Sequence, residues 1–157
     1  MNVVLDIGCH THAGHPGDES VHELVRRYKP DRLYGFDPHP DVPEGWHQID
    51  GSEVLLTRSA AWTYDGTIAY DPRPDRPLAA CVGEGPETVR CFDLAHVVGP
   101  GDIVKIDAEG AEYPLLAHLI KTGADERISL LLVEWHPPFD RRPGILKRLR
   151  CPVEVWQ

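Results

Sequence analysis

Short apolar segments and helical patterns alternate along this chain. Residues 3–7 are mostly apolar and predict a buried strand, whereas Val21, Leu24, Val25 and Tyr28 recur at the spacing of one helix face. The same patterns predict further strands at residues 32–36, 53–56, 103–106 and 129–135, and further helices at 92–98, 111–122 and 142–149. Repeated β–α units of this kind are typical of a parallel sheet covered by helices on both faces.

The stretch from residue 64 to residue 85 interrupts this alternation, because it is rich in proline, glycine and aspartate. It predicts a hairpin around Asp65 and Gly66, followed by a loop. No internal repeat or linker divides the sequence, and 157 residues are enough for one hydrophobic core. We therefore expect a single α/β domain over residues 1–157.

Composition and charge narrow the classes of function. The formal net charge of −9 disfavours binding to nucleic-acid backbones, which favour basic surfaces. The four cysteines are far apart and form no CxxC pair, and no signal peptide precedes the first strand, so we expect reduced thiols and a cytoplasmic location. No apolar run approaches the ~18 residues of a membrane span, so no membrane partner is expected.

Three carboxylates follow the predicted strand at residues 103–106. Asp107, Glu109 and Glu112 lie where this strand passes into a helix that Gly110 opens. Open parallel sheets bind their ligands at this edge, outside the carboxyl ends of the strands. An acid at a helix N-terminus can also be a simple cap, but three acids exceed what a cap requires. This junction is therefore the first candidate for a functional site.

The first two strands also end in candidate ligand-binding residues. Asp6 and Gly8 follow the first strand, where a glycine lets the backbone approach a ligand. Asp37 ends the second strand, where its carboxylate can accept hydrogen bonds from a ribose diol. Its distance from Gly8 exceeds the ~20 residues of the dinucleotide fingerprint. The alternative for Asp37 and Pro38 is an ordinary Asp-Pro turn; taken together, the two strand ends favour a nucleoside site.

With these motifs the chain resembles the class I S-adenosylmethionine-dependent methyltransferases, and within them the FkbM-type family. The run Lys-Ile-Asp-Ala-Glu-Gly-Ala-Glu at residues 105–112 is the specific part of the resemblance. The other matching segments follow in the family's order at residues 4–8, 34–38, 59–61, 89–94 and 132–136. The resemblance thus extends from about residue 3 to residue 136.

The resemblance implies a Rossmann-like fold that binds S-adenosyl-L-methionine and methylates a hydroxyl of a sugar, glycan or small metabolite. The implied cofactor-binding residues are Asp6, Gly8, Cys9, His10, Asp37, Pro38, Ser59, Ala60, Ala61 and Asp107. The implied catalytic residues are His136, Asp107, Glu109 and Glu112. Among them His136, just past a strand end, is our first candidate for the general base. The carboxylates would suit Mg²⁺, but no metal is assigned.

Two features depart from the family's pattern. The family's usual Asn-x-Gly after the first glycine is replaced by the histidine-rich run at residues 9–15. The sequence also ends at Gln157, soon after the apolar segment at residues 153–156, so we expect a sheet shortened at its C-terminal edge. An open edge gives the chain a reason to form a homodimer.

Two alternative functions stay open. His10 and His12 form a pattern typical of metal-dependent hydrolases, with Asp107 and His136 as distant ligands. The chain is, however, shorter than the ~250-residue barrel that usually carries that pattern. The other alternative is a catalytically inactive protein that still binds a nucleoside or S-adenosylmethionine. Stoichiometric zinc would favour the hydrolase, and cofactor binding without methyl transfer would favour the inactive protein.

Overall fold

The computed structural model describes residues 1–9, 20–73 and 81–157. In these residues the chain forms eleven β-strands and four α-helices. The strands are β1 (Val3–Ile7), β2 (Arg32–Phe36), β3 (Gly45–Ile49), β4 (Ser52–Thr57), β5 (Ala60–Trp62), β6 (Gly66–Asp71), β7 (Cys81–Val82), β8 (Glu87–Asp93), β9 (Ile103–Ile106), β10 (Leu130–Val133) and β11 (Val153–Val155). The helices are α1 (Ser20–Tyr28), α2 (Leu94–Val97), α3 (Glu112–Thr122) and α4 (Arg142–Leu146).

Seven of these strands form one large, mostly parallel sheet. Its strand order is β11-β10-β9-β1-β2-β4-β3, and β3 alone is antiparallel to its neighbour within it. The expected α/β class with a mostly parallel sheet is therefore confirmed. Parallel pairing also brings the carboxyl ends of β1, β2, β9 and β10 to the same end of the sheet. Such sheets bind their ligands outside this end.

Helices cover both faces of the large sheet. Successive side chains of a strand point to opposite faces, and Val4 packs in a buried cluster with Leu24 of α1. Leu5 and Ile106 pack in a different cluster with Leu115 of α3. No helix in the described parts of the chain is long and apolar enough to cross a membrane.

A second sheet, which the sequence patterns did not predict, contains the remaining four strands in the order β5-β8-β6-β7. The strands β5 and β6 pair with opposite sides of β8 and not with each other. The predicted hairpin around Asp65 and Gly66 is therefore wrong. The helix predicted at residues 92–98 begins only at Leu94, because Asp93 ends β8 and caps α2 by accepting a hydrogen bond from the Ala95 amide.

One edge of the large sheet contains a strand that the sequence patterns did not predict. The edge strand β3 was not predicted, and it pairs with β4 in an antiparallel hairpin. At the other edge the C-terminal segment supplies the single short strand β11, which is parallel to β10. The sheet formed by the described residues has seven strands. Beyond β10 at the C-terminal edge, it contains the single strand β11.

Candidate functional site

A cavity of about 360 Å³ lies at the carboxyl ends of β1, β2, β9 and β10. This volume is within the range of small-molecule sites, ~300–1,000 Å³. The sequence-predicted residues that line it are Gly8, Asp37, Pro38, Ala60, Ala61, Asp107 and Glu109. Lining residues that the sequence patterns did not identify include Ser20, Glu23, Phe36, Tyr70, Val82 and Glu134.

One part of the cavity wall is apolar, and the second sheet supplies four of its residues. Ala60 and Ala61 come from β5, Tyr70 from β6 and Val82 from β7. Phe36, at the end of β2, also lies in this part of the wall. The position of the two alanines, which were predicted to bind the cofactor, is thus compatible with a flat apolar ligand group, whereas Tyr70 and Val82 come from strands that the sequence patterns did not predict.

The polar part of the cavity is acidic. Five carboxylate residues line it, and among the described lining residues there is no lysine or arginine. Burial raises the pKa of Asp37 to about 6. Burial, with a smaller contribution from Asp107, also raises the pKa values of Glu109 and Glu134 above their ordinary value. The cavity therefore favours a ligand that carries positive charge.

The turn between β9 and α3 is built around the fully buried carboxylate of Glu112. Its Oε1 atom accepts a hydrogen bond from the Ala108 amide at 2.9 Å, and its Oε2 atom accepts one from the Gly110 amide at 2.8 Å. This contact holds Glu109, whose φ is 48°, in a left-handed conformation that non-glycine residues rarely adopt. Glu112 does not line the cavity, so its contacts are those of a residue that shapes the turn.

His136 follows β10 and lies among the carboxylates of this turn. Its Nδ1 atom is 2.8 Å from Glu112 Oε1, and its Nε2 atom is 3.5 Å from Glu109 Oε1 and 3.9 Å from Asp107 Oδ1. The hydrogen bond with Glu112 raises the pKa of His136 to about 9, although partial burial acts in the opposite direction. The imidazole is therefore protonated at neutral pH and balances part of the negative charge around it.

The predicted catalytic residues are thus brought together by the fold. The ligand atoms of Asp107, Glu109 and His136 all lie within 4.8 Å of one another, a spacing that can hold a metal ion. Metal binding by His136 would require its Nε2 atom to release a proton first, because only the neutral imidazole is a ligand.

Three of the residues predicted to bind the cofactor lie below the cavity surface. Asp6 is fully buried, where its Oδ2 atom accepts a hydrogen bond from Ser20 Oγ at 2.6 Å. Cys9 is also buried, against Gly35, where a β-carbon would lie 2.9 Å from the Cys9 sulfur. Ser59 is buried as well and does not line the cavity.

Gly8, which follows β1, lies directly against the backbone of Asp107. Its φ is 79°, and a β-carbon there would lie 1.6 Å from the carbonyl oxygen of Asp107. Only glycine fits this position, because both the backbone conformation and the space exclude a side chain. The predicted residues His10 and His12 lie outside the described residues.

Of the lining residues that were not predicted, Glu134 left a visible signal in the sequence. It is a charged residue near the end of an otherwise apolar strand pattern, two residues before a predicted catalytic histidine. Tyr70 and Val82 left no comparable signal, because they reach the cavity only through the pairing of the second sheet.

Comparisons of the chain with protein-family models, with curated proteins and with solved structures found no match. The functional assignment therefore depends on the residues and charges of the cavity.

Proposed function

We propose that this protein is an S-adenosylmethionine-dependent methyltransferase that methylates a hydroxyl oxygen of a sugar or small metabolite. The observation that carries this proposal is the acidic cavity at the carboxyl ends of the parallel strands, with five carboxylates and no lysine or arginine among its described lining residues. Phosphate groups of a dinucleotide would be repelled there. S-adenosylmethionine instead carries a sulfonium and an ammonium group, which such a cavity attracts.

The remaining walls support the same ligand. The apolar surface that includes Phe36, Tyr70 and Val82 suits a flat purine ring. Asp37 offers a carboxylate for a ribose diol, and the backbone at Gly8 is open to close approach. When bound, S-adenosylmethionine would supply a methyl group already activated by the sulfonium. The protein then has to orient the acceptor hydroxyl and accept its proton.

For the proton acceptor, the geometry favours Glu109. Its carboxylate lines the cavity and its pKa is raised by burial, which makes it a stronger base than an exposed glutamate. His136, the candidate predicted from the sequence, has carboxylates facing both ring nitrogens and does not line the cavity. We assign it the role of holding Glu109 in place, from 3.5 Å.

Calorimetric titration tests the proposal directly. S-adenosylmethionine and S-adenosylhomocysteine should both bind, whereas NAD⁺ and ATP, which carry phosphates, should not. A titration in which ATP or NAD⁺ binds more tightly than S-adenosylmethionine would contradict the proposal. Labelled cofactor, incubated with a panel of sugars and hydroxylated metabolites, then identifies the acceptor; binding without transfer to any acceptor would favour the inactive alternative.

A metal-dependent hydrolase is the second candidate, and the observation that favours it is the spacing of Asp107, Glu109 and His136. Elemental analysis of the purified protein distinguishes it from a methyltransferase. We expect no stoichiometric zinc or iron. One equivalent of either metal in the wild type, lost in the His136→Ala variant, would favour the hydrolase.

A further inference from the structure

Lys105 is a fully buried lysine in the middle of the large sheet. It lies on β9, directly between Asp6 of β1 and Leu132 of β10 in the strand register. A buried charge is costly to desolvate, and replacing a buried ion pair by apolar residues often leaves stability unchanged or increases it. The stability of the sheet alone therefore gives no reason for a lysine at this position.

The contacts of the Lys105 ammonium connect it with residues that line the cavity. Its Nζ atom is 3.0 Å from Asp6 Oδ1 and 3.4 Å from Asp107 Oδ2, and it donates a hydrogen bond to the Gly8 carbonyl at 3.0 Å. Asp6 in turn accepts the hydrogen bond of Ser20. Gly8, Ser20 and Asp107 all line the cavity, but Lys105 itself does not.

The direction of the Asp107 carboxylate depends on this arrangement. Its Oδ2 atom faces Lys105, and its Oδ1 atom faces His136 Nε2 at 3.9 Å. Asp107 is also close enough to Glu109 and Glu134 for its negative charge to raise their pKa values. This effect is smaller than that of burial. Without the ammonium, repulsion from these carboxylates would favour a rotation of Asp107 away from them.

We propose that Lys105 is a positioning residue, which fixes the Gly8 carbonyl and the Asp107 carboxylate so that the cavity is preformed for its ligand. It acts through these groups and not by touching the ligand. The inference rests on the proposed function for the identity of that ligand, but the preformed geometry itself can be tested in the ligand-free protein.

The test uses the double variant Lys105→Met/Asp6→Asn, with each single variant alongside it. Lys105→Met alone leaves the Asp6 carboxylate buried without its cation and should lower the melting temperature. The double variant removes both charges and should recover most of that loss. If Lys105 positions the cavity, the double variant should still bind S-adenosylhomocysteine about 10- to 100-fold more weakly than the wild type, because the site is no longer preformed.

Arg150→Met is the matched control. Arg150 donates a hydrogen bond from Nε to the fully buried Asp125 at 3.1 Å, away from the cavity, so this variant also leaves a buried aspartate without its cation. It should lose stability but keep the affinity of the wild type. Asp6→Asn alone should lose less affinity than the double variant, because Lys105 keeps its contacts with Gly8 and Asp107.

Hydrogen exchange in the ligand-free proteins separates this inference from the proposed function. In the double variant the amides of Gly8 and Asp107, which donate to Phe36 and Ile7, should exchange faster than in the wild type or in Arg150→Met. If the wild type binds no cofactor, the proposed function fails and the exchange rates alone decide the role of Lys105.

Several results would overturn the positioning role. These are unchanged exchange at both amides, unchanged affinity in the double variant, and an equal loss of affinity in Asp6→Asn alone. A loss of affinity without faster exchange would also overturn it, because Lys105 would then act through its charge on the ligand and not by positioning.

Discussion

Asp37 combines a proposed ligand contact with an energetic penalty. Burial in the cavity raises its pKa from 3.8 to about 6, so the folded protein holds this proton more tightly than the unfolded chain. The contribution of Asp37 to folding is therefore most favourable below pH 3.8, and it is lost progressively as the pH rises from 3.8 to 6. Above pH 6 the folded protein carries a partly buried carboxylate that the unfolded chain would expose to water.

Replacing Asp37 by asparagine should therefore stabilise the folded protein at pH 7. We expect the free energy of unfolding to rise by roughly 1–3 kcal/mol, and the difference from the wild type to shrink as the pH falls toward 4. Urea titrations at several pH values measure both effects. Asp50→Asn, at an exposed turn, is the control and should change little. An Asp37→Asn protein that is less stable than the wild type at pH 7 would refute the prediction.

The same substitution should weaken binding of S-adenosylmethionine. The loss should be roughly 1.5–3 kcal/mol, the contribution of a hydrogen bond that involves a charged group. Calorimetric titration of the folded variant gives this value. Unchanged affinity would remove Asp37 from the set of ligand-binding residues.

Substitutions of Glu109 and His136 test which of them accepts the proton. Glu109→Gln keeps the shape of the side chain but removes the base, so turnover should fall ~10²–10⁴-fold while cofactor affinity stays nearly intact. His136→Gln should reduce turnover less, since His136 acts through Glu109. Rates of methyl transfer to an acceptor from the screen provide the measurement. A larger loss in His136→Gln than in Glu109→Gln would restore His136 as the base.

The turn between β9 and α3 is held by the carboxylate of one residue and not by a side-chain cap of the helix. Glu112 is buried, accepts hydrogen bonds from two backbone amides of the turn and contacts the imidazole of His136. The N-cap of α3 is Ala111, which offers no side-chain hydrogen bond of its own. The geometry of the carboxylate cluster is therefore set by Glu112.

Glu112→Gln should consequently destabilise the protein by about 1.5–3 kcal/mol. The glutamine amide has only one acceptor oxygen for the two backbone amides, and it carries no charge to pair with His136. Chemical denaturation at pH 7 gives the value. Glu53→Gln, which removes an exposed ion pair with Arg32, is the control and should cost less than ~1 kcal/mol. Equal effects of the two substitutions would show that the Glu112 contacts add nothing to the turn.

Across the whole molecule, the net charge of −9 and the acidic cavity act in the same direction. S-adenosylmethionine has one positive charge more than S-adenosylhomocysteine, so the field of the protein should favour it. Salt screens this attraction over a Debye length of about 10 Å at 0.1 M and less at higher concentration.

We therefore expect the ratio of the two affinities to move toward S-adenosylhomocysteine as NaCl is added. Titrations of both ligands at low and high salt measure this ratio. Glu134→Gln, which removes one carboxylate of the cavity, should shift the ratio in the same direction at low salt. A ratio that does not depend on salt would show that charge makes no contribution to the selection.

The sequence alone determined the parts of this protein that depend on local order. Apolar runs and helical spacing identified β1, α1, β2, β9 and α3. A helix buried on one face has apolar residues at helical spacing, and a fully buried strand is a short apolar run. The ends of parallel strands then pointed to Asp37, Asp107 and Glu109, which line the cavity. The helix predicted at α2 began too early because the cap at Asp93 also ends a strand.

Only the tertiary structure decided the rest. The polar edge strand β3 and the pairing of β5 and β6 with β8 depend on partners distant in sequence, so no local period reveals them. The same is true of Tyr70 in the apolar wall, which reaches the cavity through those pairings. The raised pKa of His136 arises from its hydrogen bond with Glu112 and from neighbouring carboxylates, and the charge of the buried Lys105 ammonium is stabilised by Asp6 and Asp107. Such effects exist only once the strands have brought the groups together.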